Sequence, residues 1–301
     1  MTATATAPLT SPISPQLRSN EGRLVVSGPD HPGIVAAVSA VLGKLGANIV
    51  SLDQYSSENG RFFQRTVFEL EHLSVRRPDL EQALDQDIRT ALGLDWTLSE
   101  AAQRKRVAIF ASKTDHCLLD LLWRQRRNEI DASIEMVISN HPDLAADVRS
   151  FGIPYFHVPI KNGDKASAEA EHLRLLQGNV DLVVLARYMQ IISSSFIDEV
   201  GVPIINIHHS FLPAFIGAGP YRKAKERGVK LIGATAHYVT KDLDEGPIIE
   251  QDVVRVSHAH TVEQLMRRGA DVERQVLARA VAWHVEDRIV QEGNSTVVFA
   301  S

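Results

Sequence analysis

The chain contains a single cysteine, Cys117, among its 301 residues. One cysteine excludes an intramolecular disulfide and any zinc site built from several cysteines. Its apolar runs are all far shorter than the ~20 residues that a membrane-spanning helix needs. The 32 Lys+Arg against 37 Asp+Glu give a formal net charge of −5. Without a basic excess or an apolar span, we expect neither a nucleic acid nor a membrane as partner.

Phosphate-binding loops are missing too. No GxGxxG follows the first apolar strand of the second half of the chain, and no GxxxxGK[ST] occurs anywhere. A nucleotide-binding function therefore has no phosphate loop to rest on. The histidines form no recognised ligand pattern such as HExxH. We therefore expect no metal site, and we interpret His258 and His260 as part of a turn.

Residues 1–21 differ in composition from the rest of the chain. The first twenty are rich in Thr, Ser, Ala and Pro and contain one basic residue, Arg18. They lack the basic start and apolar centre of a secretory signal, and one arginine is too few for an amphipathic transit peptide. We expect residues 1–21 to be a disordered lead-in and the protein to be cytoplasmic.

Residues 22–99 predict a βαββαβ module. A strand at Arg23–Ser27 leads into the turn Gly28–Gly33, where we expect Asp30 to cap a helix and Pro32 to lie in its first turn. Apolar residues then recur at helical spacing. They are Ile34, Val38, Val41, Leu42 and Leu45. The remaining elements are strands at Ala47–Gln54 and Arg61–Glu71, a helix marked by Leu80–Leu92 and a strand at Trp96–Leu98. This order is ferredoxin-like.

The module shows no evident catalytic chemistry, and its layout resembles that of the ACT regulatory domain. The Gly-Pro-Asp-His-Pro-Gly turn between the first strand and helix carries the resemblance. It implies that methionine and glycine bind near Gly28, Asp30 and Gly33 as opposing effectors. It also implies a homo-oligomer, a tetramer or larger, with the modules at an interface. A module that only holds subunits together is the alternative that the sequence leaves open.

A short polar linker at 100–105 separates this module from residues 106–301, in which apolar runs alternate with helical segments. The runs are Val107–Ala111, Ala132–Ile138, Tyr155–Val158, Asp181–Ala186 and Pro203–Ile207. Strands that are buried on both faces and alternate with helices predict a Rossmann-like, mostly parallel α/β sheet. Such sheets bind ligands at the carboxyl ends of their strands.

Two polar segments of this second domain are candidates for chemistry. Asn206 and His208 end a buried strand, and at strand spacing they project to the same side. There they could donate to one carbonyl oxygen as it becomes an oxyanion. Asp244, in a later acidic turn, could orient water or hold an imidazole in its charged form. The alternatives are histidines that merely cap a strand and a solvated acidic loop.

Together the two segments resemble the folate-dependent formyltransferase superfamily. Its diagnostic elements are Asn-x-His followed by Ser-x-Leu-Pro, and Leu-Asp-x-Gly-Pro. They occur here as Asn206, His208, Ser210, Leu212 and Pro213, then as Leu243, Asp244, Gly246 and Pro247. The resemblance covers residues 106–299 and implies that Asn206, His208 and Asp244 form the catalytic set.

The resemblance also implies a folate site. Leu185–Ser193 is similar to the family segment that holds the pterin ring, and the loop Lys241–Gly246 would close on the other side of the ring. A strand end that simply enters a helix is the alternative for Met189–Ile192. The implied substrate-binding residues are Arg187, Met189, Gln190, Ile191, Ile192, His237, Asp242 and Gly246.

Enzymes of this superfamily share 10-formyltetrahydrofolate as donor and differ in the acceptor of the formyl group. Transferases to glycinamide ribonucleotide carry a glycine-rich phosphate loop, whereas Ala111–Cys117 has no glycine. The ACT-like module and the segments Asn206–Tyr221 and Gly228–Gln251 resemble the deformylases of the superfamily, in which water is the acceptor. The resemblance implies that formate is released and supplied to purine biosynthesis. The folate is then substrate, and no cofactor is expected.

Two other functions stay open on the sequence alone. One is formyl transfer to an amine such as glycinamide ribonucleotide, for which Lys113 could still meet a phosphate. The other is a catalytically silent, folate-binding regulator. We interpret Cys117 as a thiol that is buried or that replaces the phosphate loop rather than as a nucleophile, because no base is paired with it in the sequence.

Overall fold

The computed structural model describes residues 19–213 and 219–300, so the expected lead-in lies almost wholly outside the described residues.

The chain divides into two compact units, residues 1–103 and 104–301. The elements of the first unit are β1 (Glu21–Pro29), α1 (Ile34–Lys44), β2 (Asn48–Ser56), β3 (Arg61–Glu69), α2 (Leu73–Leu84), a π-helical turn (Asp85–Thr90) and β4 (Asp95–Glu100). The four strands pair antiparallel in the order β2-β3-β1-β4. The ferredoxin-like prediction is therefore confirmed.

The start of α1 differs from the prediction. The helix begins at Ile34 and is preceded by Gly33, whose φ of 95° is left-handed and which provides no side-chain cap. Asp30 donates its backbone N–H to the carbonyl oxygen of Gly60, 2.8 Å away. The assignment of Asp30 as the helix cap is therefore wrong, because contact with the β2–β3 turn holds it ahead of the capping position. Pro32 likewise precedes the helix instead of lying in its first turn.

The second unit begins with β5 and contains the larger sheet. Its elements are β5 (Lys105–Ala111), α3 (His116–Arg126), β6 (Ala132–Ser139), α4 (Ala145–Ser150), β7 (Tyr155–His157), a 3₁₀ turn (Lys161–Gly163), α5 (Lys165–Leu176), β8 (Leu182–Ala186), α6 (Ser194–Val200), β9 (Ile204–His208), α7 (Pro220–Arg227), β10 (Leu231–Tyr238), β11 (Ile248–Arg255), α8 (Val262–Val285), β12 (Ile289–Glu292) and β13 (Ser295–Val298). Residues between β4 and β5 form a short connection, while β12 and β13 form a separate hairpin.

Seven strands form one sheet in the order β11-β10-β9-β8-β5-β6-β7. The strands from β9 to β7 along this order are parallel, and β10 runs antiparallel to both β9 and β11. The central strands are apolar on both faces, since an apolar cluster covers each face of the sheet. In β8 every residue is buried. The mostly parallel α/β prediction is confirmed.

The topology fixes where a ligand can bind. From β5 the chain builds outward to β6 and β7, then returns to the other side of β5 with β8 and β9. The carboxyl ends of β8 and β9 therefore meet beside this reversal, where open α/β sheets bind their ligands. The segment after Ala186 and the segment after His208 share that edge. Within the described part of the chain, no helix is both long and apolar enough to span a bilayer.

Candidate active site

Two neighbouring strands carry the first three polar side chains of the site. Asn206 and His208 lie two residues apart on β9, so they point to the same face. On β10, His237 is the register partner of Asn206. The antiparallel pairing thus places an imidazole directly beside the amide of Asn206. The loop after β10 returns to the same place and brings Asp244 to the two histidines.

Two hydrogen-bond contacts and one longer contact connect these four side chains. Nδ1 of His208 lies 3.2 Å from Oδ2 of Asp244, and Nε2 of His237 lies 3.6 Å from Oδ1 of the same carboxylate. The amide nitrogen of Asn206 is 3.2 Å from Nε2 of His237. Nδ1 of His237 donates to the carbonyl oxygen of Tyr238, at 2.9 Å. That bond fixes the ring of His237, because a carbonyl oxygen can only accept.

The carboxyl group of Asp244 is held ionised. The hydrogen bond from His208, and then the neighbouring imidazole of His237, keep the pKa of Asp244 well below its usual range and outweigh the opposing effect of partial burial. The backbone of Asp244 is left-handed, with φ 58°, a conformation that Asp and Asn tolerate better than most residues. The turn therefore suits an aspartate at this position.

One ring nitrogen of His208 is available for chemistry. The ring is buried, and its Nδ1 faces Asp244. Nε2 has no hydrogen-bond partner among the described residues, although it is shielded from bulk solvent. A buried polar atom without a partner is costly in an ordinary core. Beside a pocket, it is a position from which a proton can be given to a substrate.

A cavity of about 470 Å³ opens over this group. Besides Asn206, His208, His237 and Asp244, it is lined by residues from the end of β8 and from the loop after β10. Of the expected substrate-binding residues, those lining it are Arg187, Met189, Gln190, Ile191, Ile192, His237 and Asp242. Gly246 does not line it: a Cβ there would lie 1.9 Å from the carbonyl oxygen of Tyr238, so the glycine allows two backbone segments to touch.

The rim of the cavity is apolar and uncovered. Met189, Ile191 and Leu243 are 57%, 61% and 62% exposed. They come from the two segments that flank the cavity, so a flat ring between them would bury apolar surface on both sides. Met189 is also fixed at its backbone, because its N–H donates to Oγ of the buried Ser112 at 3.0 Å.

The ionic cluster around Glu273 was not predicted from the sequence. Glu273 lies within α8 and is buried, and it contacts His116, Tyr221 and Arg187. The available signal was a glutamate on the apolar stripe of α8, in line with Leu265, Gly269, Val272 and Val276. Such a residue needs partners, which the sequence alone could not name.

Donor atoms of His116, Cys117 and Glu273 lie within 4.8 Å of one another, close enough to share a metal ion. Two features argue against a cation there. Nε2 of His116 already donates to Glu273, at 2.8 Å, and the guanidinium of Arg187 adds a positive charge beside the same carboxylate. Burial raises the pKa of the Cys117 thiol well above its ordinary value. The thiol is therefore neutral, and its burial agrees with the sequence interpretation.

Comparisons with known proteins assign this arrangement to a family. The family model described as Formyl transferase matches residues 105–281, and the ACT domain model matches residues 22–86. A curated protein of Mycobacterium tuberculosis named formyltetrahydrofolate deformylase is 59% identical over 280 residues, covering 92% of this chain and 90% of that protein. The chain belongs to the formyltetrahydrofolate deformylase family.

Solved structures agree with membership of the deformylase family. A formyltetrahydrofolate deformylase from Pseudomonas syringae pv. tomato has a TM-score of 0.89 at 48% identity, covering 93% of this chain and 94% of that one. Glycinamide ribonucleotide transformylase 1 from Symbiobacterium toebii has a TM-score of 0.61 at 33% identity, covering 65% of this chain and 94% of that one. A transferase thus shares much of the deformylase fold, so the fold alone does not decide which acceptor is used.

Proposed function

We propose that this chain hydrolyses 10-formyltetrahydrofolate to formate and tetrahydrofolate. The observation that carries the proposal is the hydrogen-bonded pair of His208 and Asp244, with Nε2 of the histidine unpartnered beside a cavity. Relatives that match this chain over most of its length are named for the same reaction. Transfer to glycinamide ribonucleotide is the alternative, and these relatives do not favour it.

The cavity fits a bicyclic pterin. Met189 and Ile191 supply apolar surface on one flank, and Leu243 supplies it on the other. Polar groups at the same segments, including Gln190 and Asp242, can meet the ring's donors and acceptors. In this arrangement the N10-formyl group extends towards Asn206 and His208.

Water is the nucleophile in the proposed mechanism. Its oxygen attacks the formyl carbon, the carbonyl oxygen becomes an oxyanion, and the bond between carbon and N10 then breaks. Asn206 and protonated His208 donate to the oxyanion. Asp244 stabilises the positive charge of His208, orients the water and takes part in moving its proton. One proton of the water ends on N10, the other is released, and formate leaves.

His237 has a positioning role. With Nδ1 bonded to the carbonyl oxygen of Tyr238, its Nε2 faces both Asn206 and Asp244. The amide of Asn206 has two N–H groups. Contact of one with His237 leaves the other for the oxyanion. The role proposed for Asn206 thus depends on this neighbour.

The ACT-like module is proposed to regulate the reaction. Methionine and glycine are the proposed effectors, sensed near Gly28 and Gly33 within a cytoplasmic homo-oligomer whose formate supplies purine biosynthesis. An effector must bind the more active and less active states with different affinity. Opposite changes in formate release as each amino acid is added to the full chain would support regulation. If neither changes the rate and the oligomer dissociates only together with unfolding of the module, the module serves assembly.

The reaction is tested with the purified chain and 10-formyltetrahydrofolate, without any amine. Formate and tetrahydrofolate should appear in equal amounts, far above the uncatalysed rate. A second reaction includes glycinamide ribonucleotide. Formylation of that amine without formate release would establish the transferase alternative. Tight folate binding with no turnover in either reaction would establish the silent regulator.

A further inference from the structure

A buried ionic cluster lies beside the catalytic cavity. Its centre is Glu273, which is 2% exposed. The carboxylate accepts hydrogen bonds from the hydroxyl of Tyr221 at 2.6 Å and from Nε2 of His116 at 2.8 Å. Nε of Arg187 lies 3.4 Å from the same carboxylate. Among the described residues, this carboxylate is the only anionic group in salt-bridge contact with Arg187.

The charges of the cluster compensate one another. Burial alone would raise the pKa of Glu273, but the hydrogen bond from His116 and the charge of Arg187 outweigh burial and lower the pKa to about 2. Glu273 is therefore an anion at neutral pH, and Arg187 is its cation. Removing either partner would leave the other as an uncompensated buried charge.

Two backbone features, at Gly269 and at Arg187, allow the side chains of this cluster to meet. A Cβ at Gly269, one helical turn before Glu273, would lie 1.9 Å from the hydroxyl of Tyr221, so the glycine lets the tyrosine lie directly on α8. Arg187 adopts a left-handed φ of 61° directly after β8. This conformation is unfavourable for an arginine. The bend therefore places the guanidinium at Glu273 at a cost in backbone strain.

The cluster reaches the cavity through Arg187. Arg187 and His209 both line the cavity, whereas Tyr221 and Glu273 are not among its lining residues. The ring of His209 lies 5.3 Å from that of His208 and 6.2 Å from that of Tyr221, measured between centroids. Neighbouring side chains thus connect the proposed catalytic histidine through His209 and Tyr221 to Glu273 and Arg187. We call these four residues (Arg187, His209, Tyr221 and Glu273) the acceptor wall.

The other residues that line the cavity indicate where the acceptor of the formyl group would bind. Most come from the segment after β8, from the loop after β10 or from the catalytic group, and these surround the proposed pterin position and the reacting group. An acceptor other than water would need space next to His208 that these residues do not occupy. His209 lies directly beside His208 and lines the cavity, as do Arg187 and Gly219.

We propose that the acceptor wall determines specificity, by leaving room for water beside the formyl carbon and denying it to an amine. This inference rests on the proposed hydrolytic function. An amine as large as glycinamide ribonucleotide would have to displace Arg187 and leave the charge of Glu273 buried without its cation. Water needs no such displacement. The shared fold of the transformylase of Symbiobacterium toebii agrees with a role for side chains in this choice.

The reaction that the wild-type chain should not catalyse is transfer of the formyl group to the amine. The amine nitrogen attacks the formyl carbon, the bond between carbon and N10 breaks, and the proton lost by the amine ends on N10. The products are an N-formyl amine and tetrahydrofolate, in place of formate and tetrahydrofolate. The two reactions share one donor and are distinguished by their formyl product alone.

Arg187→Gly is the decisive variant, because it removes the side chain and suits the left-handed backbone. Glu273→Gln is the second, since it keeps the size of the side chain and removes the charge that holds Arg187. Arg174→Gly is the matched control: Arg174 pairs with Glu171 on the surface of α5 and is 67% exposed. Each protein is given carbon-13-labelled formyl donor with glycinamide or glycinamide ribonucleotide. The labelled N-formyl amine and formate are then quantified.

Wild type and Arg174→Gly should form formate almost alone. Arg187→Gly should raise the ratio of N-formyl amine to formate at least tenfold, and Glu273→Gln should raise it less. Thermal unfolding is measured to show that both variants are folded. The proposal is overturned if both folded variants release formate and keep the ratio of N-formyl amine to formate at the wild-type value. It is also overturned if wild type formylates either amine as readily as Arg187→Gly does. Absence of formate from wild type without amine would instead contradict the proposed function.

Discussion

The carboxylate of Asp244 lies 3.2 Å from Nδ1 of His208, while Nε2 of the same ring has no partner among the described residues. The two residues come from different segments, the end of β9 and the loop after β10. Their contact turns one ring nitrogen towards an anion and leaves the other beside the cavity. The carboxylate and the imidazole should therefore act as one unit in the reaction.

Asp244→Asn should lower kcat by about 100- to 1000-fold and change folate affinity little. Asparagine keeps the shape and tolerates the left-handed backbone at this position, but it cannot stabilise a positive charge on His208. Steady-state formate release and equilibrium folate binding measure the two effects separately. Asp271→Asn, the same change at an exposed aspartate of α8 paired with Arg274, should leave both at wild-type values. Near-normal kcat in Asp244→Asn would make the carboxylate structural.

The double variant of His208→Ala and Asp244→Asn should be slower than His208→Ala alone, but by much less than the loss that Asp244→Asn causes by itself. Each single change should cost about 100- to 1000-fold, and the losses should not multiply because part of the effect of the carboxylate passes through the imidazole. The four proteins of the cycle are compared by kcat/KM for formate release. If the two losses multiply in full, none of the effect of Asp244 passes through His208, and the pair is not one unit.

Gly246→Ala should destabilise the chain by about 1–3 kcal/mol. The added methyl group would lie 1.9 Å from the carbonyl oxygen of Tyr238, a backbone atom that cannot move aside like a flexible side chain. The loop that carries Asp244 should shift, so KM for the folate should rise as well. Thermal unfolding and KM are measured beside Gly43→Ala, a helical position where a Cβ meets no atom within 4 Å. Gly246→Ala with the stability of wild type would refute this packing role.

His172→Leu should stabilise the chain more at pH 5 than at pH 8. The ring is 1% exposed, and neither nitrogen has a hydrogen-bond partner among the described residues. It packs edge-on against the rings of Phe110, Tyr188 and Phe196. Burial lowers the pKa of His172 to about 4, against the smaller opposing influence of Glu169 and Glu171. The folded state therefore excludes a proton that the unfolded state binds below its pKa of about 6.5.

The sign of this effect is fixed by the two pKa values. Between about pH 6.5 and pH 4 only the unfolded state of wild type takes up the proton, so wild type loses stability as the pH falls. Leucine removes that loss, and the gain at pH 5 should exceed the gain at pH 8 by up to about 2 kcal/mol. Urea unfolding at both pH values provides the measurement. His258→Leu, at an exposed histidine, is the control, and equal gains at the two pH values in His172→Leu would contradict the prediction.

Local pattern and spacing account for the parts of the structure that the sequence could predict. The alternation of apolar runs with helices predicted the sheet, because burial on both faces imposes such runs. Strand spacing placed Asn206 and His208 on one face, and the motif resemblance named Asp244. The contact between Asp244 and His208 needed the fold, since nothing local brings the loop after β10 to the end of β9.

The features that the sequence could not predict depend on distant partners. Glu273 lies far along the chain from Arg187 and His116, so the glutamate was recognisable only as a polar residue on an apolar stripe. Asp30 resembled a helix cap by type and position. Its backbone is held by the carbonyl of Gly60, a tertiary contact that local propensity does not contain. In both cases a contact between residues distant in the sequence determines the structure, and local sequence preferences do not contain that contact.

Hydrolysis in oxygen-18 water shows directly whether water is the acceptor of the formyl group. The wild-type chain and Asp244→Asn are each incubated with 10-formyltetrahydrofolate in labelled water, and the label in formate is followed over time. We expect one labelled oxygen per formate, formed by wild type about 100- to 1000-fold faster than by Asp244→Asn. Labelled formate appearing at the same rate with wild type, with Asp244→Asn and without protein would contradict this expectation.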